Sequence, residues 1–153
     1  MDATFKMDQM VFNYRVAGVC IEDNHVLIHK QAKDHHWALP GGRVEVLEDS
    51  KSGIVREMAE ELNIECKVDR LLWFTENFFE YKYRNFHEIG LFYLLSTVRE
   101  HFQKGPFFSE EGDHLVYEWV HIDELHKINL YPMFLRTELQ KLPTNMEHII
   151  INQ

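Results

Sequence analysis

Cysteine is scarce: Cys20 and Cys66 are the only two in 153 residues. Both lie in apolar, strand-like surroundings without metal-ligand spacing. They read as buried free thiols of a reducing compartment, which excludes a disulfide framework. No apolar run approaches the roughly 20 residues that cross a bilayer. The opening Met1-Asp2-Ala3-Thr4-Phe5-Lys6 lacks the basic-then-apolar layout of a secretory leader. A cytoplasmic protein with no membrane partner is the expectation. Positive charge is also short: 16 Lys and Arg against 25 Asp and Glu leave a formal net charge of −9. That argues against a nucleic-acid partner, because phosphate backbones are bound by basic patches. It leaves room for a small phosphorylated ligand wherever a metal ion offsets the acidic side chains. The ten histidines are scattered without zinc spacing and read as ordinary core or surface residues. Repeats, linkers and low-complexity tracts are lacking too.

What is present suits one domain over residues 1–153, with a hydrophobic fraction of 45% to fill its core. Residues 14–21 and 25–30 read as strands around an Asp23-Asn24 turn. Residues 37–39 and 43–46 read as short strands flanking Gly41-Gly42, where glycine permits a turn with positive φ. A helix is expected over about residues 50–62, capped by Asp49 or Ser50 and ended by Asn63. Gly53 inside it implies close packing against a strand. Residues 64–77 and 86–98 read as long strands joined through residues 81–85, and 101–114 as a polar connection. Residues 116–120 form a further strand, Asp123-Glu124-Leu125 begins a helical turn, and Leu135, Leu139 and Leu142 share a face of a C-terminal helix. Residues 148–151 read as a last strand. Strands on either side of helices imply an α/β fold with a mixed sheet.

The predicted helix carries Arg56-Glu57-Met58-Ala59-Glu60-Glu61. Residues three and four apart share a helix face, so Glu57, Glu60 and Glu61 gather three carboxylates that repel one another. Such a set suits a hard divalent cation such as Mg²⁺ or Mn²⁺. Arg56 lies four residues before Glu60 and is placed to pair with it. A solvated acidic face is the plain alternative.

The stretch from Gly42 to Ile64 resembles the signature of the Nudix hydrolases, G-x5-E-x7-R-E-U-x-E-E-x-G-U, where U is a bulky aliphatic residue. Gly42, Glu48, Arg56, Glu57, Glu60 and Glu61 fall at its defined positions, with Met58 and Ile64 at the U places. Asn63 stands where the family has glycine. After glycine, Asn best tolerates the left-handed conformation, so the departure is conservative for the backbone. The resemblance implies an α/β/α sandwich and hydrolysis of a nucleoside diphosphate derivative by water attack on phosphorus. It implies Glu57, Glu60 and Glu61 as metal ligands and Arg56 as their orienter. Glu48 takes a supporting role, and Gly42 shapes the turn and offers a carbonyl to the metal. The general base is left among Glu57, Glu88, Glu110 and Glu111. Arg43 and Lys30 are candidates for phosphate contact. Tyr81 is a candidate substrate contact, near a tyrosine associated with dinucleoside polyphosphate enzymes. A small-molecule nucleotide is the expected partner, with a homodimer left open.

Two other classes compete. A non-catalytic sensor of the same fold would lose signature glutamates, and this chain keeps them. An isoprenoid-diphosphate isomerase would need a catalytic cysteine, for which Cys20 and Cys66 have no supporting context.

Overall fold

The computed structural model describes residues 1–152. Its strands are β1 (Phe5–Met7), β2 (Met10–Val19), β3 (Ile21–Glu22), β4 (His25–Gln31), β5 (Gly41–Arg43), β6 (Cys66–Tyr81), β7 (Arg84–Thr97), β8 (Phe107–Ser109), β9 (Gly112–His121) and β10 (Glu147–Asn152). The helices are α1 (Ser50–Leu62), a 3-10 helix (Ile122–Lys127) and α2 (Leu135–Glu138).

Strand β2 explains the layering. Val16, Ala17, Gly18 and Val19 are all buried, the pattern of a strand covered on both faces. Side chains alternate along a strand, so neighbours enter different cores. Val16 packs with Leu27, Ile54 and Met58, whereas Ala17 packs with Ile28, Trp73 and Leu135. One sheet runs β1-β2-β7-β6-β10, with β5 also paired to β2. It is mixed: β2–β7 and β6–β10 are parallel, and the other pairs are antiparallel. A second, antiparallel sheet runs β3-β4-β9-β8. Helix α1 supplies Ile54 and Met58 to one core, and the 3-10 helix and α2 supply Leu125 and Leu135 to the other. The α/β fold with a mixed sheet is as expected.

Several elements differ from expectation. Residues 37–39 form no strand: Trp37 and Ala38 make isolated bridges to Leu130 and His29. The strand expected over 43–46 is β5, earlier in the chain. The segment read as a polar connection holds β8 and the start of β9, with Phe107 stacked on Tyr117 at 5.8 Å. A three-residue strand is too short for an alternating pattern to declare itself. Helix α2 is a single turn that excludes Leu142, because Pro143 disfavours helical backbone at the residue before it. Leu142 nevertheless packs against the same core. Strands β6 and β7 turn through Lys82 and Tyr83, both at positive φ without glycine. The free thiols Cys20 and Cys66 are buried as expected.

Helix α1 has the expected bounds. Asp49 caps it, accepting the Ser52 N–H at 2.9 Å. Asn63 is left-handed at φ 54°, with its N–H donated to the Ala59 carbonyl at 3.0 Å and that of Ile64 to Met58 at 3.2 Å. We expect Asn63→Gly to keep stability and Asn63→Val to lose about 1–2 kcal/mol, since a β-branched side chain clashes with left-handed backbone. Matched thermal melts of the two variants check this, and equal midpoints would contradict the cap.

His29 on β4 is 7% exposed. Burial, with the charge of Arg15 adding to it, lowers its imidazole to about 3. An unfolded histidine binds a proton near pH 6.5, so from there down to about 3 the unfolded chain holds one proton more. This group's stabilisation is therefore complete above about pH 6.5 and falls as pH drops, by up to about 1.4 kcal/mol per pH unit. Denaturant titrations at pH 5 and 7 should show His29→Leu with a smaller acid loss than the parent. An unchanged loss would refute the assignment.

Candidate active site

The signature loop begins as strand. Gly41, Gly42 and Arg43 of β5 face Ala17, Val16 and Arg15 of β2. The expected positive-φ turn at Gly41-Gly42 does not occur: among the described glycines only Gly105 and Gly112 have positive φ. The glycines are needed for closeness instead. A Cβ on Gly41 would lie 2.0 Å from the Val16 carbonyl oxygen, and one on Gly42 2.5 Å from the Glu57 carboxylate. The turn falls later, at Leu47, with φ 69° and a fully exposed side chain. Its ends are closed by the Glu48 N–H donating to the Glu45 carbonyl at 3.1 Å. The first residues of the chain brace this loop. The Ala3 N–H donates to the Val44 carbonyl and that of Val46 to Met1, each at 2.8 Å, and Arg43 lies 3.7 Å from Asp2.

Arg56 is the hub. Its Nε and Nη2 donate to the two Glu48 oxygens at 2.7 and 3.0 Å, a bidentate pair. Its Nη1 reaches Glu57 at 3.0 Å and Glu60 at 3.2 Å, the second being the expected pairing along the helix. Nη2 also donates to the Arg43 carbonyl at 3.4 Å. Arg56 holds the Glu48 carboxyl below the usual range, and Glu48 in turn holds the guanidinium firmly charged. Gly53 makes room for this pair. A Cβ there would meet Glu48 Oε1 at 3.0 Å, while the strand residue Val16 stands at an ordinary 3.7 Å. The neighbour that requires glycine is thus the carboxylate and not the strand.

Glu57 behaves oppositely. Burial, then the charge of Glu61, pushes its carboxyl up to about 7 against the pull of Arg56. One guanidinium does not neutralise the cluster. Glu61 accepts a hydrogen bond from the Tyr117 hydroxyl of β9. Burial and that bond raise the phenol further, keeping it a donor. Nothing in the sequence marks Tyr117, since an aromatic residue in an apolar strand reads as core.

Glu61 also lines a cleft of about 830 Å³. Arg15, Lys30 and Arg43 line it, with Asn13, Glu88, Phe79, Tyr81 and Phe86 farther along. Lys30 donates to the Asp34 carbonyl at 3.0 Å and lies over the Trp37 ring. The Tyr81 hydroxyl donates to the Asp34 carboxylate at 3.3 Å. The structure thus gathers Glu61, Lys30, Arg43, Tyr81 and Glu88 around one cleft. Glu48, Arg56, Glu57 and Glu60 form the linked cluster on α1 and the loop before it. Glu110 and Glu111 stand apart from the lining, in the turn between β8 and β9. That turn is fastened to α1 by the Glu110 N–H donating to the Glu61 carbonyl at 2.7 Å.

A hard divalent cation suits this donor set. The carboxylates carry charge that Arg56 leaves uncompensated, and Gly42 keeps the space beside Glu57 clear. Among the described residues no three acidic, His or Cys groups are placed to hold one ion together.

A strand, a close glycine pair and a helix bearing linked carboxylates thus stand beside a cleft lined by Arg15, Lys30 and Arg43. The NUDIX domain model matches residues 13–138. An 8-oxo-dGTP diphosphatase of Buchnera aphidicola subsp. Schizaphis graminum is 30% identical over 124 residues, 78% of this chain and 85% of that protein. A mouse diphosphoinositol polyphosphate phosphohydrolase 2 is 34% identical over 74 residues, 46% of this chain and 41% of that protein. Among solved structures, a NUDIX hydrolase from Nitrosomonas europaea shares the fold at TM-score 0.63 and 18% identity, covering 92% of this chain and 79% of that one. An ADP-ribose pyrophosphatase from Streptococcus suis does so at 0.59 and 17%, covering 90% and 98%. The chain belongs to the Nudix family. It is a Nudix-type diphosphohydrolase.

The Leu47 turn gives a prediction. A non-glycine residue in left-handed backbone costs about 1–2 kcal/mol, and Asn bears it more easily. Leu47→Asn removes no buried surface, so it should raise stability by about 1 kcal/mol, or about 2–4 °C in Tm. An unchanged or lower Tm would show that the turn relaxes.

Proposed function

We propose that the protein hydrolyses the diphosphate linkage of a nucleoside diphosphate derivative and releases a nucleoside monophosphate. In this reading Glu57, Glu60 and Glu61 hold Mg²⁺ or Mn²⁺. The observation that carries it is the pairing of an under-neutralised carboxylate cluster with a cleft lined by Arg15, Lys30 and Arg43. A diphosphate is the bridging ligand such opposite fields suit. The 30% identity to an 8-oxo-dGTP diphosphatase supports a nucleotide substrate.

Nudix hydrolases generally use divalent cations, and a cation bound here would neutralise the diphosphate and lower the pKa of an attacking water. The side chains do the rest. Arg56 fixes the rotamers of Glu48, Glu57 and Glu60, and Tyr117 fixes Glu61. Arg43 and Lys30 contact phosphate oxygens, and Tyr81 borders the substrate farther out. Glu57, the most sheltered of the carboxylates that Arg56 touches on α1, takes the proton of the attacking water, with Glu111 of the fastened turn as the second candidate. Gly42 leaves the Glu57 carboxylate its place and offers its carbonyl to the metal.

The two competing classes find less support. All signature glutamates of the catalytic pattern are retained, against a sensor. Cys20 and Cys66 are buried, and neither lines the cleft, against the isomerase.

Hydrolysis of nucleoside diphosphate derivatives should stop in excess chelator and return with Mg²⁺ or Mn²⁺. Glu60→Gln, at a half-exposed position, should cost roughly two orders of magnitude in kcat or more, about 2.7 kcal/mol of barrier, with little change in Tm. Chromatography of phosphate-containing products checks both. Full activity in chelator, or an active Glu60→Gln, would reduce the acidic face to a solvated surface.

A further inference from the structure

We propose that the end of the large sheet that α1 leaves bare is a dimerisation surface, against which a second copy of this chain packs face to face. This surface lies apart from the cleft and stands independently of the reaction.

Register builds the surface. Phe5 is opposite Phe12, Phe12 opposite His87 and His87 opposite Phe78, so β1, β2, β7 and β6 contribute one row across four strands. Directly paired residues share a face of the sheet. The rings meet in turn: Phe5 stacks on Phe12 at 5.0 Å, Phe12 is edge-on to His87 at 5.3 Å, and His87 lies 4.6 Å from Phe78. Two residues along each strand, and so on the same face, Met7 and Met10 begin a second row that continues through Asn85 and Glu80. Both rows border a hollow of about 640 Å³.

Farther along this face Val16 is buried with Ile54 and Met58 of α1. Phe5, Met7, Met10 and Phe78 instead remain 60, 58, 53 and 37% exposed. Ile150 of β10, two residues before the Asn152 that pairs with Phe78, adds a side chain 60% exposed on the same face. At roughly 200 Å² per large side chain, these five leave about 500 Å² of apolar surface. Soluble monomers rarely expose a contiguous patch beyond a few hundred Å².

A second copy is the occupant that fits. Two such patches bury about 1,000 Å² of apolar surface before any polar rim is counted, the size a specific interface needs. The chain carries a formal net charge of −9, so like copies can meet closely only where that charge is sparse, and Glu80 is the one carboxylate in the two rows. The rows are also self-complementary. A twofold axis lying between them sets each copy's aromatic row over the other's Met7 and Met10, where flexible thioethers suit ring surfaces. The contact is face to face and not edge to edge. Symmetric antiparallel pairing of the edge strand β1, centred on Lys6, would set that lysine against its own counterpart, and an edge lysine guards against such pairing. Phe79 and Phe86 alternate to the opposite face, where they line the cleft, so each copy keeps its own cleft open.

Sedimentation equilibrium of the full chain from about 1 to 100 µM tests this. The parent should fit a monomer–dimer equilibrium with a Kd of about 1–10 µM, as a modest contact without ion pairs allows. Met10→Glu and Phe78→Glu should each weaken it at least about tenfold, because either variant traps an unpaired carboxylate in the contact. Phe108→Glu, at an equally exposed side chain on β8 of the other sheet, should leave the Kd unchanged. The parent's Tm should also rise with chain concentration more steeply than that of either patch variant. Thermal melts establish that each variant folds, and Met7→Glu replaces a patch variant that does not. A parent that stays monomeric at about 100 µM overturns the proposal. So does a dimer that both patch variants retain, or one that Phe108→Glu weakens as much as they do.

Discussion

The site depends on one guanidinium. Arg56 holds both oxygens of Glu48 and one oxygen each of Glu57 and Glu60. Glu48 also accepts the Glu45 N–H at 3.0 Å, so the same clamp closes the loop onto the helix. Without it, Glu57, Glu60 and Glu61 would repel one another, since among the described residues Arg56 is the cation that pairs with Glu57 and Glu60. Lysine could not stand in for Arg56, because a point charge cannot span two carboxylate oxygens while holding two further carboxylates in place. Two glycines, one read from the sequence as a turn residue and the other as packing against a strand, serve this clamp as well: Gly42 clears the Glu57 carboxylate and Gly53 the Glu48 carboxylate.

The second constraint is the sheet covered on both faces. Side chains alternating along β2 send Val16 to the core under α1 and send Asn13, Arg15 and Ala17 toward the cleft. The helix and the cleft thus lie on different faces of the same strand, and β5, paired to the middle of β2, brings the two together. The carboxylate cluster and the cleft can therefore be altered separately, since few residues belong to both; Glu61 and Arg43 are the joints.

How much of this could be read from the chain follows from the range of each interaction. Helix α1, its Asp49 cap, its Asn63 end and the Arg56–Glu60 pair were legible because all are local in sequence. The roles of Gly41, Gly42 and Gly53 were misjudged because closeness to a distant carbonyl or carboxylate leaves no local trace. Leu47, Lys82 and Tyr83 adopt positive φ against their own preferences, so no turn signal announced them. Tyr117 and Asn13 were invisible as site residues because their partners, Glu61 and Glu88, lie 56 and 75 positions away. The short C-terminal helix was overread, because the leucine spacing continues through Leu139 and Leu142 beyond the helix's end at Glu138.

The parallel pairing of β2 with β7 has a consequence for synthesis. Asn13 leaves the ribosome 75 residues before the Glu88 it must meet. At about 5–20 residues per second, that is a wait of about four to fifteen seconds. Through that interval Val16 to Val19, which end wholly buried, have no neighbour on β7, and β4 waits longer still for β9. The helix can form early from its own capping signals, but the groove is among the last features to exist. A nascent chain of this protein therefore leaves β2 and β4 without their main partners long after the helix can form, and those strands are where a holding chaperone would be expected to bind.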